Sequence, residues 1–225
     1  AQLHALFYNG DILFIYAVCG LLVIPFIRAS SKVIIAAIIL LLMQPVELVY
    51  FIIGQIDPST PVMDLGSGAC YNAIIPFQSE GSIIEVAEAG IRYGLPANIL
   101  WAIENGRMTQ TVLFFLFGIM LGRRRLFYDE GNNIQIWQKV IFGSTIAFTI
   151  LYPLHQHLPA ATDIPCVSKS IEVALNMWKN VSMMLFIVAG TTLLYYRTPA
   201  KNWLIKIAPY GKMSLTNYLG QSIIG

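Results

Sequence analysis

The chain has 225 residues, of which 56% are apolar and 12% charged, with a net charge of +2 at pH 7 and a mean hydropathy of +0.66. A soluble domain carries about twice that charged fraction, so the composition excludes an ordinary water-soluble globule and indicates a polytopic membrane protein. Three cysteines do not make a disulfide scaffold, and AQLHALFYNG at the start has no basic region leading an apolar run, so it is not a signal peptide.

In chain order, the apolar runs predict an all-α membrane bundle of about five complete spans with partial ones at both ends. The spans fall at about 11–27, 33–53, 108–122, 139–154 and 178–196, and a last one begins near Ile207. Several are shorter than the ~20 residues that cross the hydrocarbon layer, so snorkelling ends or helical flanks must complete them. Leu3 to Phe7 reads as the outer end of a helix, followed by a tight turn at Tyr8-Asn9-Gly10-Asp11. With no polar flank closing the last span, residues 1–225 read as one membrane domain, a portion of a larger protein whose further terminal helices would be its partners. The bilayer is the other partner. No nucleic-acid partner is expected, and a homo-oligomer is left open.

Basic residues set the expected orientation. Arg28 and Lys32, then Arg123, Arg124, Arg125 and Lys139, then Arg197, Lys201 and Lys206 fall in alternate connections. The positive-inside rule makes those connections cytoplasmic. The 57–107 segment is then external. It carries Asp57, Asp64, Glu80, Glu85, Glu88 and Glu104 against Arg92 and Arg107. Within it, Ser82 and Glu85 form a capping-box pattern that opens a helix through about Tyr93, ended by Gly94 and Pro96. A second short helix around Ala97 to Glu104 carries Ile99, Leu100, Trp101 and Ile103. It suits either the membrane interface or the top of the bundle.

Polar residues within the spans point to the chemistry. In the closing GKMSLTNYLGQSIIG, Ser214, Asn217, Tyr218 and Gln221 share one helical face. Lipid offers no hydrogen-bond partner, so that face must meet protein or a watery cavity. Glu47 lies about 21 Å above the cytoplasmic edge of its span, counting 1.5 Å per residue, and Gln44 lies one turn below it on the same side. An ionisable side chain at that depth costs about 2.5 kcal/mol or more. Pro45 offers a competing structural account, since it bends the helix and frees a carbonyl for Glu47 to meet. His4 could serve as a general base or order the Gly10-Asp11 turn, and Asp11 could cap the first helix. Together these residues predict a polar pocket in the outer half of the bundle, with Glu47 and His4 as proton-transfer candidates. Asp11, Gln44, Ser214, Asn217, Tyr218 and Gln221 would contact the substrate. Asn217 and Gln221 also fit interhelical hydrogen bonding alone.

Other patterns carry less. Asp64-Leu65-Gly66-Ser67-Gly68 looks like a nucleotide-site glycine loop but lacks the flanking strand and βαβ unit. His155 and His157 at i, i+2 do not share a helical face, so no metal site is expected. Cys70 and Cys166 both fall in external loops, where an oxidising compartment would allow a disulfide, though spacing does not show proximity.

Two stretches are specific enough to suggest a family. Leu3, His4, Ala5, Gly10, Asp11, Ile12, Leu13, Tyr16, Ala17 and Gly20 lie near the start, and Gly211, Met213 to Tyr218 and Gln221 near the end. With Phe117-Gly118 and Leu121-Gly122-Arg123, they resemble the YeiB-like family of bacterial inner-membrane proteins, classed under domain of unknown function 418. The resemblance runs over essentially the whole chain and is weakest between 55 and 100. It implies a multi-pass protein of the bacterial inner membrane, distantly similar to transmembrane acyltransferases and also associated with transport. The family's arginine- and aspartate-bearing first helix is absent from these residues. On that resemblance, acyl transfer to an external or membrane-bound acceptor is the expected activity, with a transporter as the alternative. No bound cofactor is expected, and acyl-CoA would be the donor. Arg123, Arg124 and Arg125 would then receive its phosphates, or simply anchor the protein to anionic lipid.

Overall fold

The long apolar runs, poor in helix breakers, fold as helix in the computed structural model, which describes residues 12–214 and 216–218. Among the described residues there is no strand. Helix α1 (Ile12–Val23) continues as a 3-10 turn to Ile27, with Pro25 in its first turn. Helix α2 (Ser31–Leu42) is capped by Ser30, whose hydroxyl accepts the Val33 N–H at 3.4 Å.

The expected second span is helical on both sides of a break. Helix α2 stops at Leu42, Gln44 takes φ +48°, and α3 runs Pro45–Ile56. Proline disfavours the α conformation in the residue before it and offers no N–H to the helical ladder. The bend expected at Pro45 is therefore a full interruption at Gln44. The segment Ser31–Ile56 is still long and apolar enough to cross a membrane.

The 57–107 segment holds more helix than its sequence suggests. Helix α4 (Ser67–Glu80) was not expected: it begins at Gly66 with φ +89°, contains Pro76, and has low mean apolarity. A distant carboxylate holds its start. Glu104 accepts the Leu65 N–H at 2.6 Å, the Ser67 N–H at 3.3 Å and the Ser67 hydroxyl. A negative charge at the positive end of a helix dipole is favourable. The capping box at Ser82 forms as expected: the Ser82 N–H donates to Glu85 Oε2 at 2.8 Å and opens α5 (Ile83–Ala89). Gly94 and Pro96, however, do not end the helix. A π-helical turn over Gly90–Gly94 carries it into α6 (Leu95–Glu104). Pro96 sits in the first turn of α6, where a missing N–H costs little. Helix α4 packs on this continuous run, with Phe77 stacked on Tyr93 at 6.4 Å and the Tyr71 hydroxyl donating to Asn98 Oδ1 at 3.1 Å.

The remaining expected spans are helices with moved ends. Helix α7 is Arg107–Arg123, α8 is Asn133–His157, α9 is Pro165–Arg197 and α10 is Lys201–Lys212. Helices α8 and α9 are also long and apolar enough to cross a membrane. The 33 residues of α9 give about 50 Å of rise, well beyond a ~30 Å hydrocarbon layer. Its first turns carry Lys169 and Glu172, paired at 3.1 Å, well ahead of the span start expected at about Trp178.

Contacts gather the chain into two units. The first holds residues up to Met120 together with Leu154–Met177, the second Leu121–Pro153 and Trp178 onward. In the first unit, Ile15, Cys19 and Ala102 are buried against Met108, Val112 and Phe115. Gly54 lets α3 approach α9 closely: a Cβ there would lie 2.9 Å from Val167 Cγ2. Gly106 turns the corner between α6 and α7 at φ +64°, with Val173 Cγ1 only 2.8 Å from where a Cβ would stand.

In the second unit, the fully buried Trp137 organises the connection before α8. Its indole N–H donates to the Leu126 carbonyl at 2.7 Å, and its ring stacks on Phe127 at 5.5 Å. Asn133 donates to the Arg125 and Tyr128 carbonyls, and the Tyr196 hydroxyl donates to the Phe127 carbonyl at 2.7 Å.

Candidate functional site

Polar side chains in an apolar bundle need partners, and in the first unit they find them on other elements. Gln44, 4% exposed, turns inward at the α2–α3 break and donates from Nε2 to the Ala174 carbonyl of α9 at 2.9 Å. A left-handed φ costs a residue with a Cβ about 1–2 kcal/mol, and this hydrogen bond helps offset it.

One turn further, Glu47 is 8% exposed in the first turn of α3 and, among the described residues, makes no hydrogen bond. It lines a cavity of about 10 Å³ with Tyr50, Val62, Met63, Glu104, Cys166, Lys169 and Ser170. That volume holds about one water, so it is a proton-sized chamber rather than a substrate pocket. Two carboxyl groups and an ammonium face it from α3, α6 and α9. Lys169 Nζ also donates to Asn105 Oδ1 at 3.3 Å and to Glu172 Oε2 at 3.1 Å, so its charge is shared among several acceptors.

Around the chamber, the partners are backbone and neighbouring polar groups. The Cys166 thiol donates to the Tyr50 carbonyl at 3.4 Å, and Ser170 to the Cys166 carbonyl at 2.9 Å. Cys70 and Cys166 are both free thiols, so the disulfide that the sequence left open is not formed. Burial would raise the Glu104 carboxyl, but its hydrogen bonds from Ser67 and from the Leu65 and Ser67 N–H groups win and hold it below the usual carboxylate range. Tyr71 is pushed up by burial and by the Glu104 charge. Asn98, 3% exposed, accepts from Tyr71, and among the described residues its buried Nδ2 has no partner.

The residues expected from the sequence divide into three groups. Gln44 and Glu47 are both buried and both face α9 or its chamber. Ser214 and Asn217 are exposed in the second unit, and Tyr218 is half-buried. His4, Asp11 and Gln221 lie outside the described residues. Of the three arginines, Arg125 (φ +50°) turns back to Glu130, Nη2 to Oε1 at 2.8 Å, and lies 4.3 Å from the Tyr128 ring. Arg123 ends α7 and Arg124 follows it; both are exposed. The run therefore does not present three equivalent cations, because one is spent closing the turn between α7 and α8.

The sequence reading did not single out Lys169 or Ser170, and it used Glu104 only as one of the acidic residues marking the external segment. The available signal was Lys169-Ser170-Ile171-Glu172 as an i, i+3 ion pair, the mark of a helix starting well before Trp178.

Neither a curated protein nor a solved structure matches the chain. A family model described as "Protein of unknown function (DUF418)" matches residues 121–225. The match takes in the closing motif, all of the second unit and the start of α9 that carries Lys169. The early motif around Gly10-Asp11 lies outside it. By this match the carboxy-terminal part of the chain, from Leu121 to Gly225, is similar to the DUF418 family.

Proposed function

We propose that this protein is a multi-pass enzyme of the bacterial inner membrane that transfers an acyl group to an external or membrane-bound acceptor. The carrying observation is Glu47, a buried carboxyl in an apolar helix, sharing a one-water chamber with Lys169 and Glu104. Through the one water the chamber can hold, the Glu47 carboxylate takes the proton of an acceptor hydroxyl or amine as the acceptor attacks the thioester carbonyl. The carbon–sulfur bond then breaks, the CoA thiolate leaves with that proton returned to it, and Lys169 compensates the carboxylate charge. Acyl-CoA is the donor in this reading.

The apolar bodies of α8 and α9 support chemistry at one side over passage through the bundle. The hydroxyls of Ser144, Thr145, Ser182 and Thr192 all donate to carbonyls of their own helix, at 2.7–3.1 Å.

Transport is the second reading, favoured by the helix break at Gln44. Discontinuous membrane helices with an adjacent carboxyl are a recurrent form of transporter site. Calorimetric titration of the full-length protein in detergent with acetyl-CoA separates the two. Binding that survives in Glu47→Gln while acyl transfer is lost supports the enzyme. No CoA binding moves the assignment to transport.

A further inference from the structure

The first unit has a second concavity, separate from the Glu47 chamber and large enough for a ligand. It encloses about 470 Å³, within the roughly 300–1,000 Å³ usual for small-molecule sites. One end is polar, with Arg107, Gln110 and Thr111 from the first turns of α7. The rest is apolar, with Ile15 and Tyr16 of α1 facing Phe115. Tyr16 and Phe115 meet edge to face at 6.0 Å, which fixes the apolar wall.

Arg107 decides what this groove suits. Among the described residues no carboxylate pairs with it. Among the described residues its guanidinium makes one hydrogen bond, a long one, Nη1 to Gln110 Oε1 at 3.4 Å. A guanidinium has five N–H donors, so most of its capacity remains. The Trp101 ring, 6.0 Å from the guanidinium carbon, holds it over the groove. Arg107 also opens α7, whose first turn contains no acidic residue, so the helix dipole adds to its field.

We propose that this groove binds an anionic amphiphile, with its carboxylate or phosphate on Arg107 and its hydrocarbon chain along Ile15, Tyr16 and Phe115. The site stands apart from Glu47 and does not depend on the acyl-transfer reading. A fixed cation at one end and an aliphatic-aromatic wall along the rest match a head-and-tail ligand. A free polar anion would leave the wall unused, and a neutral apolar segment would leave a half-buried arginine uncompensated.

The test uses full-length protein in a neutral detergent, dansyl-undecanoic acid and its methyl ester as probes, and dansyl fluorescence as the readout. The acid should bind about tenfold or more tightly than the ester, the worth of a charge-assisted hydrogen bond. Arg107→Gln should erase that difference, and Arg107→Lys should keep part of it. Equal binding of acid and ester to the wild-type protein overturns the proposal, and that comparison decides the matter if Arg107→Gln does not fold. Competitors then identify the source. Displacement by dioleoylphosphatidylglycerol but not dioleoylphosphatidylcholine indicates a membrane phospholipid, and displacement by oleate alone indicates a free fatty acid. If inorganic phosphate displaces the probe as well as either lipid, or if no probe binds because protein covers the groove, the amphiphile site is refuted.

Discussion

The two units treat their buried polar groups in opposite ways. In the first, side chains reach across elements: Gln44 to α9, Glu104 to the start of α4, Tyr71 to Asn98 and Lys169 to Asn105. In the second, the hydroxyls along α8 and α9 close on their own helices, and cross-element bonds gather at the 125–128 connection around Trp137 and Tyr196. A hydroxyl bonded one turn back is satisfied wherever its helix goes and specifies no neighbour. A side chain bonded to another element fixes that element's position. Of these bonds among the described residues, those of the first unit tie several elements together, and those of the second tie one corner. The DUF418 match covers the second unit whole. The chamber of Glu47, Glu104 and Lys169 belongs to the first.

The sharpest way to break this contrast is Glu47→Gln, which should lower acyl transfer by about 10²–10⁴-fold, the usual worth of a general base. Its elution and helicity should match wild type. A rate within twofold of wild type would remove the chamber from the mechanism.

Next in size is Gly106→Ala, with its left-handed φ and a Cβ position 2.8 Å from Val173. It should cost about 2–4 kcal/mol from strain and overpacking together, read as a lowered thermal midpoint. An unchanged midpoint would mean that the α6–α7 corner does not hold the first unit together.

Glu104 makes the first unit acid-sensitive. Its carboxyl is depressed in the folded protein, so the unfolded chain binds more protons as pH drops. The stabilisation is fully present above the ordinary carboxylate range and is lost as pH falls through the folded value. Glu104→Gln should cost about 1–2 kcal/mol at neutral pH, from weakened charged hydrogen bonds. Hydrogen exchange at the Leu65 and Ser67 amides should speed up in the variant and, in wild type, only in acid. Equal protection in both at neutral pH would show that another group caps α4.

The smallest effects test the comparison directly. Gln44→Leu should cost about 1–2 kcal/mol, because it loses the bond to Ala174 and places a branched side chain at φ +48°. Ser182→Ala in the second unit should stay within about 0.5 kcal/mol, since only a bond within one helix is lost. Similar costs in denaturation of the two variants would erase the distinction between the units.

Much of the first-order picture was legible in the sequence. The apolar runs located the three helical segments long and apolar enough to cross a membrane and the shorter apolar helix at Ile12–Ile27, the Ser82–Glu85 pattern gave a real capping box, and Gln44 and Glu47 stood out as polar residues in an apolar run. Each of those signals is local: hydrophobic runs, caps and isolated charges are properties of neighbouring residues. The errors came where a distant group decided. Helix α4 has weak intrinsic propensity and an internal proline, and a carboxylate from α6 secures its start. Gly94 and Pro96 look like a stop, yet packing against α4 carries the helix through a π turn. Helix α9 begins well before its apolar stretch, because an ion pair sustains its first turns.

The sequence by itself determined that this is a helical membrane protein, where its apolar helices lie, and that residue 47 puts a carboxyl in an apolar span. Periodicity and transfer energetics act residue by residue and need no fold to be read. Only the tertiary structure decided that Glu47 shares its chamber with Lys169 and Glu104, that Gln44 crosses to α9, and that Arg107 heads a groove. These partners are tens of residues or more from one another along the chain, and nothing local in a sequence encodes which side chains a bundle will bring face to face.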